Sequence, residues 1–219
     1  MIGAILAGCS PSPSPSAPVD PPVPAASVVV PTASAPIASL RGYYEARDGG
    51  LFTACDESRR RRIARIDAAA EALLAAHAGA AGEARFVAAR GERIGTDAVA
   101  IDGIELLAGS AWDCDARFDG FVYAARGVAQ PWSLEVTAAA VSFNDEPGAP
   151  PLVLPYMPFD AIGKERRFES TVDGSPFHVL LREETCRDTL ADTVFAWSAR
   201  IEAGDRSYEG CAWRGESEP

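Results

Sequence analysis

Residues 167–182 read RFESTVDGSPFHVLLR. Two short runs, Arg167 to Val172 and Phe177 to Arg182, flank the pair Asp173-Gly174. Apolar and polar residues alternate in them as they do in half-buried strands, and Asp-Gly between two such runs marks a hairpin turn. The pattern repeats outward. Val194 to Ile201 and Ser207 to Ala212 enclose Gly204-Asp205, and Phe121 to Arg126, Trp132 to Thr137 and Ala140 to Phe143 are further runs. Seven or eight strands without a helix across residues 117–215 predict an antiparallel β-barrel or sandwich.

The preceding stretch, residues 41–116, is organised differently. Gly42 to Ala46 and Leu51 to Cys55 straddle Asp48-Gly49-Gly50, a hairpin with a glycine turn. Asp67 then opens the Ala-rich segment AAAEALLAAHA, which closes at Gly79. An Asp can cap the free N–H groups of a first helical turn, and a Gly can take the left-handed position after the last. Glu83 to Arg90 and Ala98 to Leu107 read as more strands. Strands, one helix and more strands in this order predict a small OB-like β-barrel. The fold class expected for the chain is therefore mainly β.

Before residue 41 the composition changes. Residues 10–38 hold nine of the chain's 17 prolines and one charge, Asp20. Proline fixes φ and lacks a donor, so residues 10–40 read as a disordered, Pro/Ser/Ala-rich linker of semi-rigid character. Residues 1–9 end in Leu6-Ala7-Gly8-Cys9. The apolar run is shorter than that of an ordinary signal peptide and has no basic flank, so a start upstream is expected. Asp plus Glu outnumber Lys plus Arg by 31 to 20, a net charge of −11, which argues against nucleic acid as a partner. No stretch approaches the roughly 20 apolar residues that span a bilayer.

Four cysteines remain beyond Cys9: Cys55, Cys114, Cys186 and Cys211. An even number in an exported chain points to disulfides, with free buried thiols as the alternative. If each half is its own domain, the pairs are Cys55–Cys114 and Cys186–Cys211. No C-x-x-C occurs and neither His77 nor His178 lies near a Cys in sequence, so no metal or other cofactor is expected.

Leu6-Ala7-Gly8-Cys9 resembles a lipobox, cut before its Cys by the lipoprotein signal peptidase. The resemblance implies that Cys9 carries a diacylglyceryl thioether and an amide-linked acyl chain such as palmitate. Ser10 in place of Asp implies, on the enterobacterial pattern, delivery to the outer membrane on its periplasmic face. Residues Ala125 to Glu135 (ARGVAQPWSLE), with Gly127, Pro131, Trp132 and Glu135, are similar to an A-x-G-x-E-P-x-W-x-L-E signature. Cys186-Arg187-Asp188 and Gly210-Cys211-Ala212 are similar to C-x-D and G-C-A elements of the same group. That group is a family of bacterial envelope lipoproteins with no settled activity, so the likeness implies location and architecture. Residues 41–116 are more faintly similar to the OB-like part of copper-resistance and envelope-stress lipoproteins. Those carry a C-x-x-C in another domain, and this chain has none.

Candidate chemistry is sparse. Glu183, Glu184, Asp188 and Asp192 cluster around Cys186, where the simplest reading is a solvated turn pinned by a disulfide. Arg59 to Arg62 with Arg65 is a basic run that would suit an envelope polyanion, or would blunt an exposed strand edge. Trp132, Trp197 and Trp213 read as core, as Trp in a small β-domain usually is. No G-x-S-x-G, H-E-x-x-H or P-loop is present, and no catalytic residue is assigned. The expectation is a non-enzymatic, lipid-anchored envelope protein that binds the membrane through Cys9 and an envelope protein or glycan through its β-domains. The alternative is a β-barrel lipoprotein that holds a small apolar ligand or inhibits a lytic enzyme.

Overall fold

Asp48, Gly49 and Gly50 take positive φ values of 53°, 81° and 94°. Gly enters the left-handed region without steric penalty and Asp tolerates it, which lets these three residues turn the chain tightly. They join β1 (Ser39–Glu45) to β2 (Leu51–Ala54) in an antiparallel hairpin. The computed structural model describes residues 39–77, 79 and 83–217. Residues 1–38, with Cys9 and nearly all of the expected linker, lie outside the described residues.

β3 (Arg60–Ile66) adds antiparallel to β2. Asp67 follows, and its Oδ1 accepts the N–H groups of Ala69 and Ala70 at 2.9 and 3.4 Å, capping α1 (Ala68–His77). Gly79 has a φ of 74°. β4 (Ala84–Ile94) and β5 (Ala98–Ala108) form the next hairpin. β5 lies parallel to β3, and β4 returns to pair with β1, so the ring β1-β2-β3-β5-β4 closes. Two register shifts in the β4–β5 ladder, at Ala88/Ala89 and Arg90/Gly91, bend the long strands enough to do this. Phe52, Val87, Val99 and Leu107 fill the ring, and α1 packs Ala70 and Leu74 onto the same core. This is the OB-like barrel expected for this stretch.

The rest builds one open sheet. β6 (Tyr123–Gly127), β7 (Ser133–Val136), β8 (Ala140–Asn144) and β9 (Leu152–Pro155) run to one side. β10 (Asp160–Ile162), β11 (Glu165–Val172), β12 (Ser175–Arg182), β15 (Trp197–Ala203) and β16 (Arg206–Arg214) run to the other. The order is β10-β11-β12-β15-β16-β6-β7-β8-β9, antiparallel throughout. The expected barrel or sandwich is thus a single curled sheet, a half-barrel. Its inner face is packed with Trp132, Phe143, Phe168, Phe177, Trp197 and Tyr208.

Three expectations change. β13 (Cys186–Asp188) and β14 (Thr193–Phe195) come from the second half of the chain, yet β14 pairs with β5 and extends the barrel's sheet. Residues 117–215 thus contribute a strand pair to the sheet built by residues 41–116. The run Val194 to Ile201, read as one strand, breaks at Ala196, whose N–H donates to the Glu105 carbonyl at 3.0 Å as the chain changes sheets. Finally, the Cys186–Cys211 bond ties β13, in the barrel's sheet, to β16 in the other, although both cysteines lie within residues 117–215.

A third core sits between the sheets. Phe86 and Leu106 from the outside of the barrel meet Phe118, Phe195 and Trp213. Beside it Glu105 is buried and joins the two sheets. Its Oε1 accepts from Arg214 at 2.6 and 3.1 Å and lies 2.9 Å from Arg90 Nε, and its Oε2 accepts the Trp197 indole N–H at 3.2 Å. Burial disfavours the Arg214 charge, but the bonds to Glu105 outweigh it and hold the guanidinium more firmly protonated than usual.

Candidate functional site

Both disulfides are formed as Cys55–Cys114 and Cys186–Cys211, each with Cα atoms 5.4 Å apart. Of the residues picked out by the family likeness, Gly127, Trp132 and Gly210 pack against one another. The Trp132 indole lies across the backbone of β6 and β16 at Gly127 and Gly210. A β-carbon at Gly127 would stand 1.8 Å from the Gln130 carbonyl oxygen and 2.7 Å from the Trp132 ring. At Gly210 it would stand 2.0 Å from the Arg126 carbonyl oxygen and again 2.7 Å from that ring. The indole N–H donates to the Glu209 carbonyl at 3.2 Å. Pro131 is exposed in the loop that brings Trp132 back over β6, and Glu135 pairs with Arg117.

The acidic residues around Cys186 do not converge. Asp188 is buried, and its Oδ1 accepts the N–H groups of Leu190 and Ala191, both at 3.0 Å. Its Oδ2 accepts from Arg126 at 2.8 Å, whose guanidinium stacks over Trp112 and Phe195. Asp192 accepts from the buried Arg85 at 2.6 Å. That guanidinium, with help from Arg187, holds the Asp192 carboxyl below the usual carboxylate range. Glu184 accepts from Ser198 Oγ at 2.6 Å, and Glu183 faces Arg90 at 3.9 Å. Among the described residues no group of three His, Cys, Asp or Glu is placed to hold a metal. The segment is a turn pinned by a disulfide, with Leu190 88% exposed at its tip.

The basic run is not a bare patch. Arg60 to Arg62 and Arg65 lie on β3, which is paired on both sides, so it is not an edge. Arg61 is buried and donates twice to Glu57 at 2.8 Å, which keeps the Glu57 carboxyl low. Arg59 donates to the Thr96 carbonyl, Arg60 faces Glu45 at 3.4 Å, and Arg62 faces Asp97 at 3.7 Å. Arg65 reaches Asp102 and Glu92. Each charge is answered locally.

Two open clefts lie on the outer face of the nine-stranded sheet. Strand register sets its rows. Arg167, Leu180, Arg200 and Glu209 form one, and Glu169, His178, Glu202 and Ser207 form the next. The two shallow clefts meet at Leu180 and Arg200. The larger, about 560 Å³, runs between β13 and the face of β15 and β16 and is lined by Arg182, Glu184, Arg187 and Glu209. The smaller, about 380 Å³, surrounds His178 with Arg167, Glu169 and Glu202. His178 Nδ1 lies 3.6 Å from Glu202. Arg167 and Arg182 together hold Glu165 below the ordinary carboxylate range. Alternating guanidinium and carboxylate groups over a small apolar floor suit recognition of an extended polar chain better than enclosure of a small molecule. In the sequence these residues read only as the wet side of strands, because nothing short of the register brings them together. Comparison of the chain with family models, curated proteins and solved structures gives no match.

Proposed function

We propose that this protein is a non-enzymatic binding module of the bacterial envelope, held on the periplasmic side of the outer membrane by lipid on Cys9. What carries the reading is the filled interior. Trp132 and Trp197, the aromatic residues that would line a ligand cavity, are 4% and 1% exposed and packed by Phe143, Tyr208 and Tyr123. Among the described residues these aromatic side chains are taken up by core packing, which favours the polar outer face for binding. Two disulfides suit an oxidising compartment, and the lipobox-like Leu6 to Cys9 with the Pro-rich stretch suits a tether. The test expresses the gene in a Gram-negative host. Labelled palmitate should enter the protein and Cys9→Ser should abolish both label and membrane association. A photo-crosslinker at Arg200 should capture an envelope component that one at Arg65, on the barrel, does not. Membrane association unchanged by Cys9→Ser would sink the anchor, and equal capture at both positions would sink the assigned face.

A further inference from the structure

We propose that β13 is a docking edge, taking an extended, carboxylate-bearing segment of a partner protein as an added strand in the cleft beside it. The proposal rests on the binding reading above and names the class of partner. The first observation is the register. Ala196 N–H donates to the Glu105 carbonyl and Gly109 N–H to the Asp192 carbonyl. Residues 192, 194 and 196 therefore turn their peptide groups to β5, and 193 and 195 turn theirs to β13. Thr193 and Phe195 stand opposite Asp188 and Cys186. The N–H and C=O of Arg187, between those two, consequently point away from β14. Thr185, Cys186 and Arg187 line the cleft of about 560 Å³ and no residue of β14 does, so the free pair faces into it. A strand edge with unpaired peptide groups is a template for another strand.

The second observation is rigidity. Cys186 is bonded to Cys211, and the side chain of Asp188 is held by Arg126 and by its own turn. The residues on both sides of Arg187 are fixed before a partner arrives, which lowers the ordering cost of binding. The two edges of the nine-stranded sheet lack this. β9 ends in Pro155 and follows Pro150-Pro151, and β10 is a fully exposed three-residue strand. The third observation is charge. The Arg187 side chain is 52% exposed, and its one ionic neighbour among the described residues, Asp192, stands at 3.7 Å. Arg182 and Arg200 line the same cleft, held by Glu165 and Glu202 on the sheet, and its two carboxylates are Glu184, which accepts from Ser198, and Glu209, so Arg187 is the cation left for an incoming carboxylate. A carboxylate on the incoming strand would meet Arg187 as its main chain meets the edge.

The probe is the peptide acetyl-Thr-Val-Asp-Val-Thr-amide, titrated into the ¹⁵N-labelled oxidised protein. Saturable shifts centred on Arg187, Thr185 and Gly210 are expected. N-methylation at the central residue should weaken binding about tenfold, the loss of one main-chain hydrogen bond. Replacing its Asp by Lys should weaken binding several-fold. Arg187→Pro should abolish binding without lowering the melting temperature, because this N–H makes no ladder bond and Pro is tolerated there. Arg187→Ala should keep binding but lose the preference for Asp over Lys. Shifts elsewhere, indifference to N-methylation, or no saturation at about 10 mM would overturn the docking edge, and Arg187 would then be a charge that guards it. If the probe fails while Arg200 still captures a partner in cells, only this inference falls. If the probe docks and cells yield no partner, the envelope-binding reading falls and the edge stands.

Discussion

Glu105→Gln probes the joint between the sheets. The Glu105 side chain is 7% exposed and answers two guanidiniums from opposite sides, Arg90 on β4 and Arg214 on β16. Gln keeps one acceptor but loses the charge. If its oxygen serves Arg214, its NH₂ group meets the Trp197 indole N–H, donor against donor. Removing one partner of a buried ion pair typically costs about 3–5 kcal/mol. Arg90 and Arg214 remain 31% and 20% exposed, so water softens the loss. We expect about 2–3 kcal/mol, which at a urea slope of ~2 kcal/mol/M lowers the midpoint by ~1–1.5 M. Tryptophan fluorescence and far-ultraviolet circular dichroism should move together, since the described residues form one unit. A midpoint shift below ~0.2 M would refute the argument, and so would two separated transitions.

Gly210→Ala should fail to fold or lose more than ~3 kcal/mol, because the clash is with backbone 2.0 Å away; a melt within 2 °C of the parent would contradict this. Cys211→Ser should cost roughly 3 kcal/mol on the loop-entropy scale and leave Cys186 reactive to maleimide in the non-reduced protein. Residues 117–217 expressed alone should show no cooperative transition by circular dichroism, since β14 loses β5 and Phe195 and Trp213 lose their cover. For Asp192, whose folded carboxyl is held low by Arg85, the stabilising interaction is complete above the ordinary aspartate range and lost as pH falls through the folded value. Asp192→Asn should therefore lower the urea midpoint at neutral pH, and its difference from the parent should shrink as pH falls below the ordinary aspartate range and the parent's carboxyl protonates.

Local chemistry was readable in the sequence. Asp48-Gly49-Gly50, Asp173-Gly174 and the Asp67 cap all sit where turn and capping rules put them. Alternation says which residues of a strand share a face, but not which sheet the strand joins. Thus β14 and β15 read as one run, and the change of sheet at Ala196 carries no local mark. β5 is buried at nearly every position, a pattern that signals cover on both faces, and the third core supplies the second cover. Arg90, Glu105 and Arg214 look like outward charges until the two sheets are set together. For the same reason the Arg59 to Arg62 run suggested an edge, although Glu57 and the flanking strands enclose Arg61. The outer-face rows and the free Arg187 peptide arise only from register.

The two disulfides also bear on how the chain matures. Each links a cysteine to the next one along the chain, Cys55 to Cys114 and then Cys186 to Cys211. A chain oxidised as it crosses a membrane from its N-terminus meets these partners in order of emergence, so native pairs form without thiol–disulfide reshuffling. Cys9 emerges ahead of Cys55 and would be the first thiol to compete for it. A thioether on Cys9 removes that competitor, so the proposed anchor would also act as a safeguard for oxidation.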